Sequence, residues 1–267
     1  MNLPMLIIFS DLDGTLLDHC SYHWQAAKPA LVRVENAGIP LVLNSSKTAS
    51  EIRQIRQELD NHAPYIVENG AAVVIPPGTF GNREEEVVNF GASRKEVLEV
   101  LARLRAEGAR FRGFEDMSAA TLAELTGLDE VSAGRAKERL GSEPLLWQGS
   151  DEELENFRVA LEAENLRLVR GGRFWHAMGN FDKADGARFL LGKYKERYGE
   201  QPVIAIALGD SPNDQQMLEM ADIPVVIRGV NSDQVQLPAT RRAMRSLRPG
   251  PEGWNECVLN LLLEYGY

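Results

Sequence analysis

The chain has 267 residues, 44% hydrophobic and 25% charged, with a net charge of −10. That length can bury a real core in one large or two modest domains. The acidic balance argues against nucleic acid, whose binders carry a basic face, and the opening apolar run at residues 5–9 is far too short to span a bilayer.

In chain order, residues 6–10 form a continuous apolar run, as expected of a strand buried on both faces. The run ends in Ser10-Asp11 rather than in a signal-peptide cleavage pattern, so a cytoplasmic protein is expected. Residues 24–37 have helical spacing and stop at Gly38. A second buried strand is expected at 39–43 and a helix at 49–59, capped by Thr48 or Ser50. A short strand at 65–68 precedes the turn signal Asn69-Gly70, and a return strand follows at 72–75. Pro76-Pro77-Gly78 and Gly81-Asn82 then read as a linker.

The next stretch reads as a separate α/β unit. Strands are expected near 87–90, 110–114, 144–147, 166–169 and 174–177, and helices near 94–106, 119–125, 131–140 and 152–163. From Asp182 the first pattern resumes, with helices at 183–198, 213–220 and 256–263 and strands at 203–208 and 224–227. Repeated strand–helix units imply a doubly wound parallel sheet. The expected fold is therefore α/β: a Rossmann-like core from residues 1–82 and 181–267, with an inserted α/β domain at 83–180. Arg241, Arg242, Arg245 and Arg248 read as a solvated helix face or loop. Cys20 and Cys257 show neither ligand spacing nor a disulfide framework.

Asp11-Leu12-Asp13-Gly14-Thr15 follows the first strand directly, where open α/β sheets bind ligands. A carboxylate nucleophile can split phosphate-ester hydrolysis into two easier steps. A second carboxylate can protonate the leaving oxygen and later deprotonate water. The competing explanation is a turn in which Asp11 and Asp13 satisfy backbone groups. A second acidic loop, Gly209-Asp210-Ser211-Pro212-Asn213-Asp214, follows another apolar strand. Asp210 and Asp214 offer the hard oxygens that Mg²⁺ prefers, or else Ser211 or Asn213 caps a helix. Ser45 and Ser46, at the end of the second strand and before a helix, suit an anion or an ordinary cap. Lys183 opens a helix, where cations are disfavoured, which suits a pairing with Asp11 and a phosphate, or else it is an exposed lysine.

These segments match, in order, the four motifs of the haloacid dehalogenase (HAD) phosphatases, and the chain resembles that superfamily. The resemblance implies Asp11 as nucleophile, Asp13 as general acid and base, and Ser45 and Lys183 as phosphate ligands. It implies Mg²⁺ held by Asp11, the Asp13 carbonyl and Asp210, with Asp214 helping through water. The position of the insertion resembles that of members with a type C2B cap. Further strings cover most of the chain: Ser45-Ser46-Lys47-Thr48, Val67-Glu68-Asn69-Gly70, Thr126-Gly127-Leu128, Ser142-Glu143-Pro144, Gly171-Gly172-Arg173-Phe174-Trp175-His176 and Gly250-Pro251-Glu252-Gly253. They resemble the mannosyl-3-phosphoglycerate phosphatase family. That resemblance implies hydrolysis of mannosyl-3-phosphoglycerate, or its glucosyl analogue, to the compatible solute mannosylglycerate or its counterpart.

Arg173 and His176 suit a substrate carboxylate, although a spacing of three puts them on opposite faces of a regular strand. Lys47, Asn69 and Glu143 suit substrate hydroxyls or a carboxylate. Arg135, Lys137 and Arg139 compete for a basic role before Ser142, and Trp147 and Trp175 suit the core of the insertion. His19, His23 and His62 show no ligand pattern. The expected partner is a small phosphorylated glycoside, with no nucleic acid and no membrane. A general sugar-phosphate phosphatase or phosphomannomutase-like enzyme shares this chemistry. A phospho-Asp receiver module shares only the strand-end aspartate. No G-x-G-x-x-G follows the first strand, which argues against dinucleotide binding.

Overall fold

The computed structural model describes residues 3–171, 173–238 and 242–267. The chain opens with β1 (Met5–Ser10), α1 (Lys28–Asn36), β2 (Leu41–Leu43), α2 (Ala49–Glu58), β3 (Tyr65–Val67), β4 (Ala72–Ile75) and β5 (Glu86–Asn89). The middle comprises α3 (Arg94–Ala106), β6 (Phe111–Gly113), α4 (Ala119–Thr126), α5 (Glu130–Lys137), β7 (Ser142–Trp147), α6 (Asp151–Ala163), β8 (Leu166–Arg170) and β9 (Trp175–Gly179). The chain returns through α7 (Lys183–Tyr198), β10 (Val203–Gly209), α8 (Gln215–Met220), β11 (Ile223–Arg228), β12 (Met244–Pro249) and α9 (Gly250–Glu264).

The central sheet runs β12-β11-β10-β1-β2 and is parallel throughout. A parallel bridge from Asn44 to Ile66 sets β3 beside β2. Alternate residues of β1 face opposite sides, as a pleated strand requires. Leu6 and Ile8 pack with Trp254, Val258 and Leu261 of α9. Ile7 and Phe9 pack with Ala187 and Leu190 of α7 and Met217 of α8. Helices on both faces explain why the strand is apolar without alternation.

The insertion is an antiparallel sheet, β6-β7-β9-β8. Helices α3 and α6 cover one face through Val97, Leu101, Phe157 and Leu161, packed with Leu145, Leu168 and Ala177. Trp147 and Trp175 pack against this cluster, in the core of the insertion. Helices α4 and α5 form a second cluster with Phe114, Leu146 and Phe174. The expected boundary at 82/83 falls in the connection between β4 and β5, which pair antiparallel from Ala72–Asn89 to Ile75–Glu86. Residues 86–89 thus belong to a sheet begun before the linker.

Other expectations shift at element ends. The helix expected at 213–220 is a 3₁₀ turn at 212–214 followed by α8. The helix expected at 131–140 ends at Lys137. The last helix begins six residues earlier than expected, with Pro251 in its first turn, where proline costs no hydrogen bond.

The arginines near the C-terminus do not lie on a helix: Arg245 and Arg248 belong to the edge strand β12. Arg245 donates to the carbonyls of Ser232 and Val235, Arg242 pairs with Glu264, and Arg248 stands 3.9 Å from Glu252. Arg241 lies outside the described residues. Among the described residues no helix is long and apolar enough to cross a membrane.

Candidate active site

The carboxyl ends of β1, β2 and β10 meet at one edge of the sheet. The Asp11 N–H donates to the Leu208 carbonyl at 2.9 Å, and the Asn44 N–H donates to the Ser10 carbonyl at 2.8 Å. The Asn44 amide donates to the Lys183 carbonyl at 2.8 Å, tying the start of α7 to the end of β2. This brings together segments that are far apart in sequence.

Lys183 is buried, and its Nζ lies 2.6 Å from both Asp11 Oδ1 and Asp214 Oδ1. The other Asp214 oxygen, Oδ2, accepts the N–H groups of Asp210 and Ser211 at 3.1 Å. Asp210 stands between two glycines. A Cβ added at Gly14 or at Gly229 would fall 2.6 Å from Asp210 Oδ2. Gly14 also has φ +80°, a left-handed conformation that glycine adopts without a Cβ penalty. Thr15 Oγ1 donates to Asp210 Oδ1 at 3.3 Å.

Burial and the Asp214 charge push Asp11 well above the ordinary carboxylate range, against the pull of Lys183. Burial, then Asp214, raises Asp210 to about 6. Burial disfavours the Lys183 ammonium, but Asp11 and Asp214 outweigh it and push the lysine up. It therefore stays cationic.

The phosphate-loop candidates lie beside this cluster. Ser45 is buried. Its N–H donates to the Ile66 carbonyl at 3.2 Å, and its carbonyl accepts the Asn69 N–H at 2.9 Å. Thr48 caps α2 in a capping box with Glu51. Lys47 Nζ lies 2.7 Å from Asp13 Oδ2. Asn69 is buried, and its side-chain oxygen lies 3.4 Å from the Asn213 amide.

A family model described as haloacid dehalogenase-like hydrolase matches residues 8–133, a span that holds Asp11, Asp13 and Ser45. Solved structures match almost end to end. Protein 0175 of Thermoplasma acidophilum is 18% identical with TM-score 0.67, covering 99% of each chain. BT1666 of Bacteroides thetaiotaomicron, described as among the phosphatases of the HAD superfamily, is 20% identical with TM-score 0.67, covering 98% of this chain and 96% of that one. BT4131, described as a HAD subclass IIB sugar phosphatase, is 16% identical with TM-score 0.64, covering 98% and 99%. The chain has the HAD-like hydrolase fold. That fold includes a cap, and here an antiparallel sheet, β6-β7-β9-β8, lies between β5 and α7.

HAD hydrolases generally use Mg²⁺, and the donor set here fits such an ion. One oxygen from each of Asp11, Asp210 and Asp214 lies within 4.8 Å of the others. Three buried carboxylates against one lysine leave an excess of negative charge, which a hard divalent cation neutralises. Both Asp214 oxygens are already engaged, so Asp11 and Asp210 are the better direct donors.

The HAD cap receives the remaining substrate candidates, which do not assemble as one group. Glu143 is buried, with Oε2 3.1 Å from Arg94 Nη2 and Oε1 accepting the Glu115 N–H at 2.6 Å. It shares its face of β7 with Leu145, under α3, and Ser142 points to the opposite face. Arg173 precedes β9, is exposed, and donates to the Leu125 carbonyl. Neighbouring Gly172 lies outside the described residues. His176 is within β9, opposite Pro144. Burial, then Arg139, lowers it to about 3, so its ring is neutral. Its Nδ1 has no hydrogen-bond partner among the described residues.

Of the competing basic residues, Arg139 donates to Ser142 Oγ at 2.9 Å and to the Ser46 carbonyl at 3.4 Å, and Arg135 donates to Gln54 of α2. Two contributors were not singled out as site residues by the sequence. Glu68 accepts from Leu140, Gly141 and Ser142, a contact across the chain that no local pattern announces. Gly229 makes room for Asp210 from a loop without any motif.

Proposed function

We propose that this protein is a Mg²⁺-dependent phosphoric monoester hydrolase working through an aspartyl-phosphate on Asp11. The observation that carries the reading is the Lys183 ammonium held 2.6 Å from Asp11 and Asp214, with Asp210 beside them and Asp13 two residues on. Asp11 attacks phosphorus with its carboxylate oxygen while the ester P–O bond breaks. Asp13 gives a proton to the departing oxygen. Asp13 then takes a proton from water, whose oxygen bonds to phosphorus as the Asp11–phosphorus bond breaks. Lys183 fixes the Asp11 rotamer, and Ser45 and the Ser46 backbone receive the phosphate oxygens. Asp11, Asp210 and the Asp13 carbonyl would hold Mg²⁺, with Asp214 behind them through water. When bound, the ion lowers the repulsion between nucleophile and phosphate and stabilises the charge of the transferring group.

As substrate we propose mannosyl-3-phosphoglycerate or its glucosyl analogue. The support is the family strings spread along the chain, among them Val67-Glu68-Asn69-Gly70 and Ser142-Glu143-Pro144, which join core to cap. The decisive experiment is Asp11→Asn, which abolishes Mg²⁺-dependent turnover. Normal turnover by Asp11→Asn removes the nucleophile. A panel comparing kcat/KM for both glycosyl-3-phosphoglycerates with hexose phosphates tests the substrate. Equal, low efficiency on all of them replaces it with a general sugar-phosphate phosphatase.

A further inference from the structure

Lys47 is a substrate candidate by sequence, yet its ammonium is already engaged. Nζ lies 2.7 Å from Asp13 Oδ2, and the Tyr22 ring centroid is 5.2 Å away. The backbone of Lys47 is fixed as well. Its N–H donates to Ser45 Oγ at 3.3 Å, and its carbonyl accepts the Glu68 N–H at 2.9 Å. Tyr22 takes φ +58°, unusual for a bulky residue, in a turn whose Cys20 and Ser21 N–H groups donate to Asp18 Oδ1. The lysine is thus gripped by the phosphate loop behind it and faces one aspartate oxygen.

The other oxygen of that aspartate is the second observation. Asp13 Oδ1 is buried and has no hydrogen-bond partner among the described residues. A buried acceptor left unsatisfied costs free energy and calls for an explanation. Here the explanation is division of labour between the two oxygens. Lysine makes a point contact, whereas the arginine fork tends to take both oxygens of a carboxylate.

We propose that Lys47 is a positioning residue for Asp13, holding Oδ2 so that Oδ1 alone carries the proton in both half-reactions. The inference rests on the reading of Asp13 as acid and base. In the first half, the proton on Oδ1 passes to the ester oxygen as the P–O bond breaks, and Asp13 becomes a carboxylate with Oδ2 still on Lys47. In the second half, a water proton passes to Oδ1 as the water oxygen bonds to phosphorus and Asp11 is released. Asp13 ends as it began.

The test compares wild type, Lys47→Met, Asp13→Asn and the double variant, with Mg²⁺, on 4-nitrophenyl phosphate and on the best ester from the substrate panel. Positioning predicts that Lys47→Met lowers kcat about 10- to 100-fold, with KM and inhibition by orthovanadate moving less than about threefold. In the Asp13→Asn background the same substitution costs less than about threefold more, because the two residues act as a unit. Lys47→Gln, as a second uncharged variant, gives the same pattern, and thermal melting identifies a variant that fails to fold.

A rise in KM and in the orthovanadate inhibition constant with kcat kept makes Lys47 a substrate ligand and overturns the proposal. So do equal losses in the wild-type and Asp13→Asn backgrounds. A wild type that hydrolyses no phosphate ester overturns the phosphatase reading itself, and this inference with it. An active wild type beside an unimpaired Lys47→Met overturns this inference alone.

Discussion

Lys183 starts a helix, where a cation is disfavoured, and is still 1% exposed. Its contacts explain this: without it, Asp11, Asp210 and Asp214 share a buried site with no cation. Breaking such a buried pair by removing one partner typically costs about 3–5 kcal/mol. Lys183→Met is therefore expected to lower unfolding stability by that order in chelator and to abolish turnover, measured by denaturant unfolding and phosphate release. The pH response follows from the same cluster. Burial and Asp214 raise Asp210 to about 6. Between about 4, the usual carboxylate value, and that point, the folded chain holds a proton that the unfolded chain has released. The contribution of this group to metal-free stability therefore falls as pH rises through the window. A divalent cation needs the ionised form, so the stabilisation it adds grows over the same window. The increase in Tm on replacing chelator with Mg²⁺ is expected to be larger at pH 7 than at pH 5. Equal increases would place the cation elsewhere. The carboxylates and Lys183 were legible because strand ends in a doubly wound sheet converge. The partner of Lys47 was not, because a point contact between two loops leaves no periodicity to read.

At the scale of elements, α7 shows how packing decides the effect of a single substitution. Gly186 and Gly192 both sit inside this helix, where alanine is intrinsically favoured by about 1 kcal/mol. At Gly192 an added Cβ meets nothing within 4 Å, whereas at Gly186 it would lie 2.9 Å from Ile66 Cγ2 and 3.1 Å from Val73 Cγ2. Gly192→Ala is thus expected to stabilise by about 0.5–1 kcal/mol. Gly186→Ala is expected to destabilise by about 1–3 kcal/mol, since overpacking a filled core outweighs the helical gain. Because α7 carries Lys183, Gly186→Ala also lowers activity. Opposite shifts in Tm check the pair, and equal shifts would mean that α7 does not rest on β3 and β4. The helix itself was legible at both ends, Lys183 and Tyr198. Strand β12 was not. It is an edge strand with mostly exposed side chains and three charged or proline positions in Met244–Pro249, so no apolar run marks it. Its place follows from parallel pairing with β11, a long-range contact.

For the whole molecule the question is what seats the cap on the core. Two chain crossings do part of it: a Cβ on Gly179 would lie 2.7 Å from the Ala92 N, and one on Gly91 would lie 2.9 Å from the Phe181 ring. The other part is Glu68, held at φ +50° in the loop before β4. Its buried carboxylate accepts the Leu140 N–H at 2.6 Å, the Gly141 N–H at 3.2 Å and Ser142 Oγ at 2.7 Å, with Arg139 at 3.8 Å. The same segment approaches the phosphate loop, where Thr48 Oγ1 donates to the Arg135 carbonyl at 2.9 Å. Glu68→Gln keeps the shape but turns one acceptor into a donor. Either Leu140 N–H or the Gly141–Ser142 pair then faces an NH₂ group, and a buried donor loses its partner at about 1–3 kcal/mol. The loss falls on the seat of the cap, because none of the three donors belongs to the central sheet. Hydrogen exchange in Glu68→Gln is therefore expected to speed up at residues 138–142, while the amides of β1 and β10 keep their protection. Ser142→Ala removes one donor and leaves the carboxylate two, so its effect is smaller and in the same place. Uniform acceleration across the central and inserted sheets would show instead that Glu68 supports the fold as a whole, and unchanged exchange would show that the two crossings alone hold the cap.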